Sequence, residues 1–167
     1  MGRTGKTFLL VGFWLAVGLV LYLFFLRQER PPIQVVGADS VELTRARDGH
    51  YHIDGAIQGG PVQFLIDTGA STVSVSGAEA RRLGLECRVA STFSTANGTV
   101  EGCTARAATL DFGPFRLEQV AVAVLPDLAG GALLGMNALR HLRLEQADNT
   151  LRMSLPAERA NATPLSQ

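Results

Sequence analysis

Phe64-Leu65-Ile66-Asp67-Thr68-Gly69-Ala70-Ser71 is the stretch on which the reading of this chain turns. An apolar run of strand character delivers a single carboxylate into a tight turn. There Gly69 is free to take a backbone conformation barred to other residues, and Thr68 and Ser71 offer hydroxyls. A carboxylate at the end of a buried strand costs desolvation and adds nothing to packing, so the arrangement presents an acid. The tripeptide Asp-Thr-Gly is short, however, and also fits an Asp-initiated turn closing a hairpin. The flanking sequence has to decide.

Working outward, residues 72–76 are short and β-branched, so a strand leaves the turn as well as entering it. Residues 77–83 carry the helix formers Ala, Glu and Arg, with Gly84 placed to end a short helix. On the other side, residues 41–47 and 50–57 alternate as strands about an Asp48-Gly49 turn, and Gly59-Gly60-Pro61 breaks the chain before the strand 62–66. Further on, residues 89–95 and 99–110 flank Asn97-Gly98, the strongest short hairpin signal in a sequence. Both arms are rich in Ser, Thr and Ala, which predicts a hairpin that projects from the core. Asp111-Phe112-Gly113-Pro114 turns the chain into a strand over 115–125 that contains the continuous apolar run Val120-Ala121-Val122-Ala123-Val124-Leu125. A loop through Pro126, Asp127, Gly130 and Gly131 leads to Ala132-Leu133-Leu134-Gly135-Met136, a short helix over 137–141, and two closing strands about Asp148-Asn149. Many short strands separated by turn residues, with no internal repeat, describe an all-β domain.

The first part of the chain reads differently. Residues 8–26 form an uninterrupted apolar run of about nineteen residues, the length of a bilayer-spanning helix, with Arg3 and Lys6 before it and Arg27 and Arg30 after it. The run exits through Phe24-Phe25-Leu26-Arg27 with no small-residue cleavage pattern, so it reads as an uncleaved anchor. The expected organisation is a tail over 1–7, a transmembrane helix over 8–26, a linker over 27–40 containing Pro31-Pro32, the all-β domain over 41–155 and a tail over 156–167. The basic residues balance on the two sides, and the free amino terminus tips the start inward. The expectation is a single-pass membrane protein, in the inner membrane if bacterial, with its domain periplasmic or otherwise extracytoplasmic.

Composition narrows the function. The 167 residues have a formal net charge of zero, with Lys and Arg scattered and no basic stripe, so nucleic acid is not an expected partner. The two cysteines, Cys87 and Cys103, are too few for a zinc site. They form one disulfide in an oxidising compartment or stay two small buried residues in a reducing one, and the sequence leaves both open.

Three features occur in order: the strand ending in Asp67-Thr68-Gly69-Ala70, the hairpin at Asn97-Gly98, and Leu133-Leu134-Gly135-Met136-Asn137-Ala138-Leu139. Together they resemble the retropepsin-like, single-domain aspartic proteases, the class of the retroviral enzymes, and the layout with one membrane helix is similar to membrane-anchored bacterial members of that group. The resemblance implies a closed, mostly antiparallel β-barrel with one short helix, preceded by a transmembrane helix. It implies Asp67 as the catalytic acid, with Thr68, Gly69 and Ala70 shaping its turn. Thr95, Ala96, Asn97 and Gly98 become a flap over the substrate, and Leu133, Leu134 and Gly135 a supporting strand beside the acid. Peptide hydrolysis by activated water needs two carboxylates, one to take a proton and one to give it. Only one Asp-Thr-Gly is present, and Asp111, Asp127 and Asp148 do not sit in comparable turns. The resemblance therefore implies a homodimer acting on a polypeptide, with one Asp67 from each copy across a two-fold axis and no metal or organic cofactor.

Other candidates are weaker. His50 and His52 fall on one face of a strand as half of a metal site, with no third ligand marked in the sequence. Ser71, Ser74 and Ser76 lack a histidine tied to them by any motif, nothing marks either thiol as activated, and Arg81 and Arg82 fit the solvated side of a short helix. A domain of this fold serving as a membrane-tethered binding or dimerisation module, without proteolysis, is the open alternative.

Overall fold

The computed structural model describes residues 3–26, 34–35, 40–95 and 98–156, with side chains described over 12–23 in the first helix and from residue 40 onward in the remainder. Contacts divide the chain into two units, Met1–Pro31 and Pro32–Gln167. In the first, helix α1 covers Arg3–Leu26, and its described side chains are nearly all exposed, Phe13, Trp14 and Tyr22 among them. Among the described residues no helix is long and apolar enough to cross a membrane. The apolar run 8–26 extends past the described side chains at both ends.

The second unit is all-β, carrying eleven strands and two short helices among the described residues. The strands are β1 (Gln34–Val35), β2 (Ser40–Thr44), β3 (His52–Ile57), β4 (Gly60–Ile66), β5 (Val73–Ser76), β6 (Val89–Thr95), β7 (Gly98–Phe112), β8 (Phe115–Leu125), β9 (Ala132–Leu134), β10 (Arg143–Ala147) and β11 (Thr150–Ser154). The helices are α2 (Gly77–Arg82) and the single turn α3 (Met136–Leu139). The larger sheet runs β1-β8-β5-β9-β4-β3-β7-β6, and a further β7–β8 pairing closes the strands from β8 to β7 into a barrel, with β1 and β6 as edge strands outside the ring. Pairing is antiparallel throughout except for β4 with β9 and β5 with β8. A second sheet, β10-β11-β2, joins the closing strands to β2 near the start of the unit.

Closure follows from the side-chain alternation. Along β5 and β8 the inward residues Val73, Val122 and Val124 meet in the core, while Ser74 and Ala123, a register pair, take the opposite face. Ile57, Phe64, Leu110, Phe112, Phe115 and Leu117 fill the centre, with the Phe112 and Phe115 rings 5.6 Å apart and tilted. Burying each such side chain contributes about 1.5–3 kcal/mol.

Several boundaries differ from the expectation. The break between β3 and β4 falls at Gln58 and Gly59, both with positive φ, and Gly60 and Pro61 belong to β4. Gln58 holds this unusual conformation because its side chain donates to the Leu83 carbonyl at 3.1 Å and accepts the Ala108 N–H at 3.2 Å. The helix expected over 137–141 is one residue earlier and shorter, and the strand expected over 41–47 ends at Thr44. β1 lies within the span read as a linker and pairs with Arg116 and Phe115, and Ser40 already belongs to β2. Ser76 caps α2 by accepting the Glu79 N–H at 3.1 Å. Cys87 and Cys103 form a disulfide over a sequence separation of 16, a closure that removes about 3 kcal/mol of chain entropy from the unfolded state.

Candidate active site

Asp67 follows the last residue of β4, where the strand ends because the chain turns through Thr68 and Gly69, and Gly69 makes this turn without the left-handed φ that only glycine adopts readily. The carboxylate closes this turn on itself: Oδ1 accepts the Gly69 N–H at 2.8 Å, and the Asp67 carbonyl accepts the Ala70 N–H at 3.3 Å. Asp67 and Ala70 are half-buried, and Thr68 and Gly69 are exposed. The acid thus sits at the surface of the barrel with its backbone fixed.

The fixing comes from a distant part of the chain. β9 runs parallel to β4, setting Leu133 beside Leu65 and Leu134 beside Ile66. The Leu134 carbonyl then accepts the Asp67 N–H at 3.1 Å. After Gly135, the Met136 N–H donates to the Ala70 carbonyl at 2.7 Å and the Asn137 N–H to the Ser71 carbonyl at 3.0 Å. The Asn137 side chain completes the clasp. Its Oδ1 accepts the Val73 N–H and its Nδ2 donates to the Ala121 carbonyl, each at 2.8 Å. Gly135 is required by proximity, since a Cβ there would lie 2.5 Å from the Thr72 carbonyl carbon and oxygen. The residues read from sequence as the acid turn and the supporting strand are therefore brought into one bonded assembly.

Above the acid opens a cleft of about 750 Å³. Its floor carries Ser74, Ala123 and Leu133, which share one row across β8, β5 and β9. Leu125 and Leu128 line one flank, and Thr92–Thr95 of β6 the other. Asp67 is the one ionisable side chain among the described residues that line it. Ser74 is buried and its hydroxyl donates to the Thr72 carbonyl at 3.0 Å, which gives it a structural role and leaves no base beside it.

The expected flap is the β6–β7 hairpin. Thr95 faces the cleft and its hydroxyl donates to the Gly98 carbonyl at 2.8 Å; Gly98 has a φ of 107°, the left-handed region that glycine tolerates, and is not among the cleft residues. Ala96 and Asn97 lie outside the described residues. Among the described residues β8 pairs with β7 only from Cys103 on, so residues 98–102 have β6 as their ladder partner and the hairpin projects past the barrel, with Gly102 still against the Val124 carbonyl.

His52 does not offer itself to a metal, because its Nε2 lies 2.7 Å from Asp48 Oδ2. Among the described residues no group of three His, Cys, Asp or Glu side chains is placed to hold a metal ion. Sequence reasoning did not find the roles of Asn137 and Leu128. An Asn opening a one-turn helix after Leu-Leu-Gly was the signal for the first, and the loop holding Leu128 carries none.

Comparisons with known proteins agree on this architecture. A family model described as "gag-polyprotein putative aspartyl protease" matches residues 53–141. An uncharacterized protein from the cobV 5' region of Sinorhizobium sp. is 26% identical over 114 residues, covering 66% of this chain and 49% of that protein. An uncharacterized protein of Rickettsia prowazekii (strain Madrid E) is 32% identical over 59 residues, covering 34% of this chain and 26% of that protein. The chain thus spans about half and about a quarter of these two curated relatives. Among solved structures, a retropepsin-like aspartic protease from Rickettsia conorii superposes with a TM-score of 0.62 at 25% identity, covering 77% of this chain and 97% of that one. EIAV protease, complexed with the inhibitor HBY-793, superposes with a TM-score of 0.51 at 20% identity, covering 59% and 92%, a likeness of fold. The fold is retropepsin-like.

Proposed function

The chain belongs to the gag-polyprotein aspartyl protease family, and on that premise we propose that it is a membrane-anchored aspartic endopeptidase whose active site pairs Asp67 of two copies. The observation that carries this reading is a lone carboxylate, held by its own turn and by Leu134, at the floor of a cleft with no other ionisable group among its described lining. One acid is insufficient for the chemistry. Two aspartates about 3 Å apart cannot both ionise, so they share a proton, and one then draws a proton from water while the other gives one to the substrate carbonyl. A two-fold copy supplies the second group.

The substrate is an extended polypeptide added as a strand between the β6–β7 hairpin and the floor. Leu125, Leu128, Leu133 and Phe93, interleaved with Ser and Thr hydroxyls, favour uncharged side chains next to the scissile bond. The apolar run 8–26 anchors the chain in a membrane as one helix, with the domain on the extracytoplasmic side. The Cys87–Cys103 disulfide supports that side, since such bonds persist in oxidising compartments. Tethering in a plane raises the local concentration of copies and favours pairing.

The test is cleavage of a mixed peptide library by the full chain in detergent micelles, beside Asp67→Asn, with sedimentation measured in parallel. Cleavage by the parent alone, by a dimer and blocked by a statine-type transition-state mimic, is expected. A folded dimer that cuts nothing would turn the reading to a binding module.

A further inference from the structure

The Cys87–Cys103 disulfide lies where the projecting hairpin leaves the barrel. Cys103 makes the last rung of β7 on β8, opposite Val124, and on its other side faces Ala90 of β6. Cys87 stands just ahead of β6, and its neighbour Arg88 donates its N–H to the Thr104 carbonyl at 3.0 Å. The bond therefore closes residues 87–103 into a covalent ring that ties the start of one arm to the other, fastened at the rung where the hairpin leaves the barrel.

Little else stiffens this element. No side chain of β6 is buried, and β7 has none buried before Ala105. Beyond the backbone ladder, the two arms are joined by hydroxyl contacts, Ser91 with Thr104 at 3.1 Å and Thr95 with the Gly98 carbonyl at 2.8 Å. A hairpin with no buried apolar anchor has low local stability, so a covalent clamp at its base carries much of its order. Cys87 is exposed, which leaves the bond open to attack.

We propose that Cys87–Cys103 is a thiol–disulfide exchange site that sets how firmly the hairpin covers the cleft, so that the redox state of the compartment governs substrate capture; the second half rests on the peptidase reading above. The reductant is a dithiol. Its thiolate attacks Cys87 Sγ, forming a mixed disulfide and releasing Cys103 as a thiolate that takes up a proton. The second thiol then attacks the dithiol's own sulfur in the mixed bond, freeing Cys87 and leaving the dithiol as a cyclic disulfide. Two electrons and two protons pass to the protein.

The experiment is amide relaxation by NMR on the full chain in detergent micelles, oxidised and after dithiothreitol, with peptide cleavage on the same samples. The Cys87→Ser/Cys103→Ser variant, studied without reductant, removes side effects of the dithiol. Opening the bond should drop amide order parameters in β6 and residues 98–102 below about 0.6 while β5 stays near about 0.85. KM should rise about fivefold with kcat within about twofold, the pattern of lost binding. A hairpin equally rigid in the reduced chain and the variant overturns the proposal, as does β5 loosening as much as the hairpin, which would make the bond a staple for the whole domain. If the hairpin loosens as expected and no peptide is cut in either redox state, the clamp stands and the peptidase reading falls.

Discussion

Leu134 accepts the backbone N–H of Asp67 at 3.1 Å, so the acid turn hangs from a strand that the chain reaches only after building most of the barrel. Every other bond of the clasp is made by Met136 and Asn137, two and three residues on from that carbonyl.

Gly135→Ala should be among the most damaging single changes. The added methyl would meet the Thr72 carbonyl at 2.5 Å and the Ala70 carbonyl oxygen at 2.9 Å, and backbone cannot step aside as a flexible side chain does. A loss of about 3 kcal/mol in denaturant unfolding is expected. A loss below about 0.5 kcal/mol would show that the clasp tolerates being spread.

Asn137→Ala strips the partners from the Val73 N–H and the Ala121 carbonyl. The expected cost is about 2 kcal/mol in the same measurement, the price of two backbone groups left without a bond. Asn137→Asp keeps the acceptor for Val73 but sets a carboxylate oxygen against the Ala121 carbonyl. It should therefore not restore the parent's stability at neutral pH, and recovery on acidification would identify the Ala121 contact as the cause.

Asp67→Asn should leave the fold intact, because the amide oxygen can still accept the Gly69 N–H. Peptide cleavage should fall by at least about a thousandfold, as expected for loss of an acid–base group. Thermal unfolding of the variant checks the first half, and single-turnover assays the second.

Asp48 gives a pH dependence. The amide of His50 donates to its carboxyl at 2.9 Å, and this bond, joined by the His52 contact at 2.7 Å, holds the group below the usual carboxylate range. A carboxyl lowered in the native state contributes stability that is present above its unfolded pKa and is lost as pH falls through the native value. Asp48→Asn should therefore flatten the melting-temperature profile below about pH 4 and change little above it. The group is exposed, so the difference is small; an unchanged acid limb would show that the turn does not depend on the charge.

Much of this was legible along the chain. The run Phe115–Leu125 is found as a strand over the residues expected, because it is written in local alternation; the hairpin has its expected first arm, but Gly98, expected in the turn, pairs with Thr95 at the start of a second arm that runs to Phe112. The turn before β4 lies at Gln58 and Gly59, one residue ahead of the break that Gly59-Gly60-Pro61 predicts. Gln58 has no intrinsic preference for positive φ and is held there by Leu83 and Ala108, partners far away in sequence. Asn137 failed to announce itself for the same reason. Its amide bridges two strands that only the closed barrel brings together, and no local pattern encodes that. The disulfide stayed open because two cysteines sixteen apart are compatible with many geometries, and only the β6–β7 register brings them within 5.6 Å at Cα.

The parallel pairing of β4 with β9 also sets an order of events in time. Parallel partners far apart in sequence must close a long loop before any contact rewards them, which makes such pairings slow. As the chain is synthesised, Asp67 emerges well ahead of Leu133 and Leu134, and until those residues arrive its turn has nothing to hang from. The topology thus works as a built-in delay: the nascent chain carries its acid unassembled, and whatever chemistry that acid performs waits until nearly the entire domain has been made.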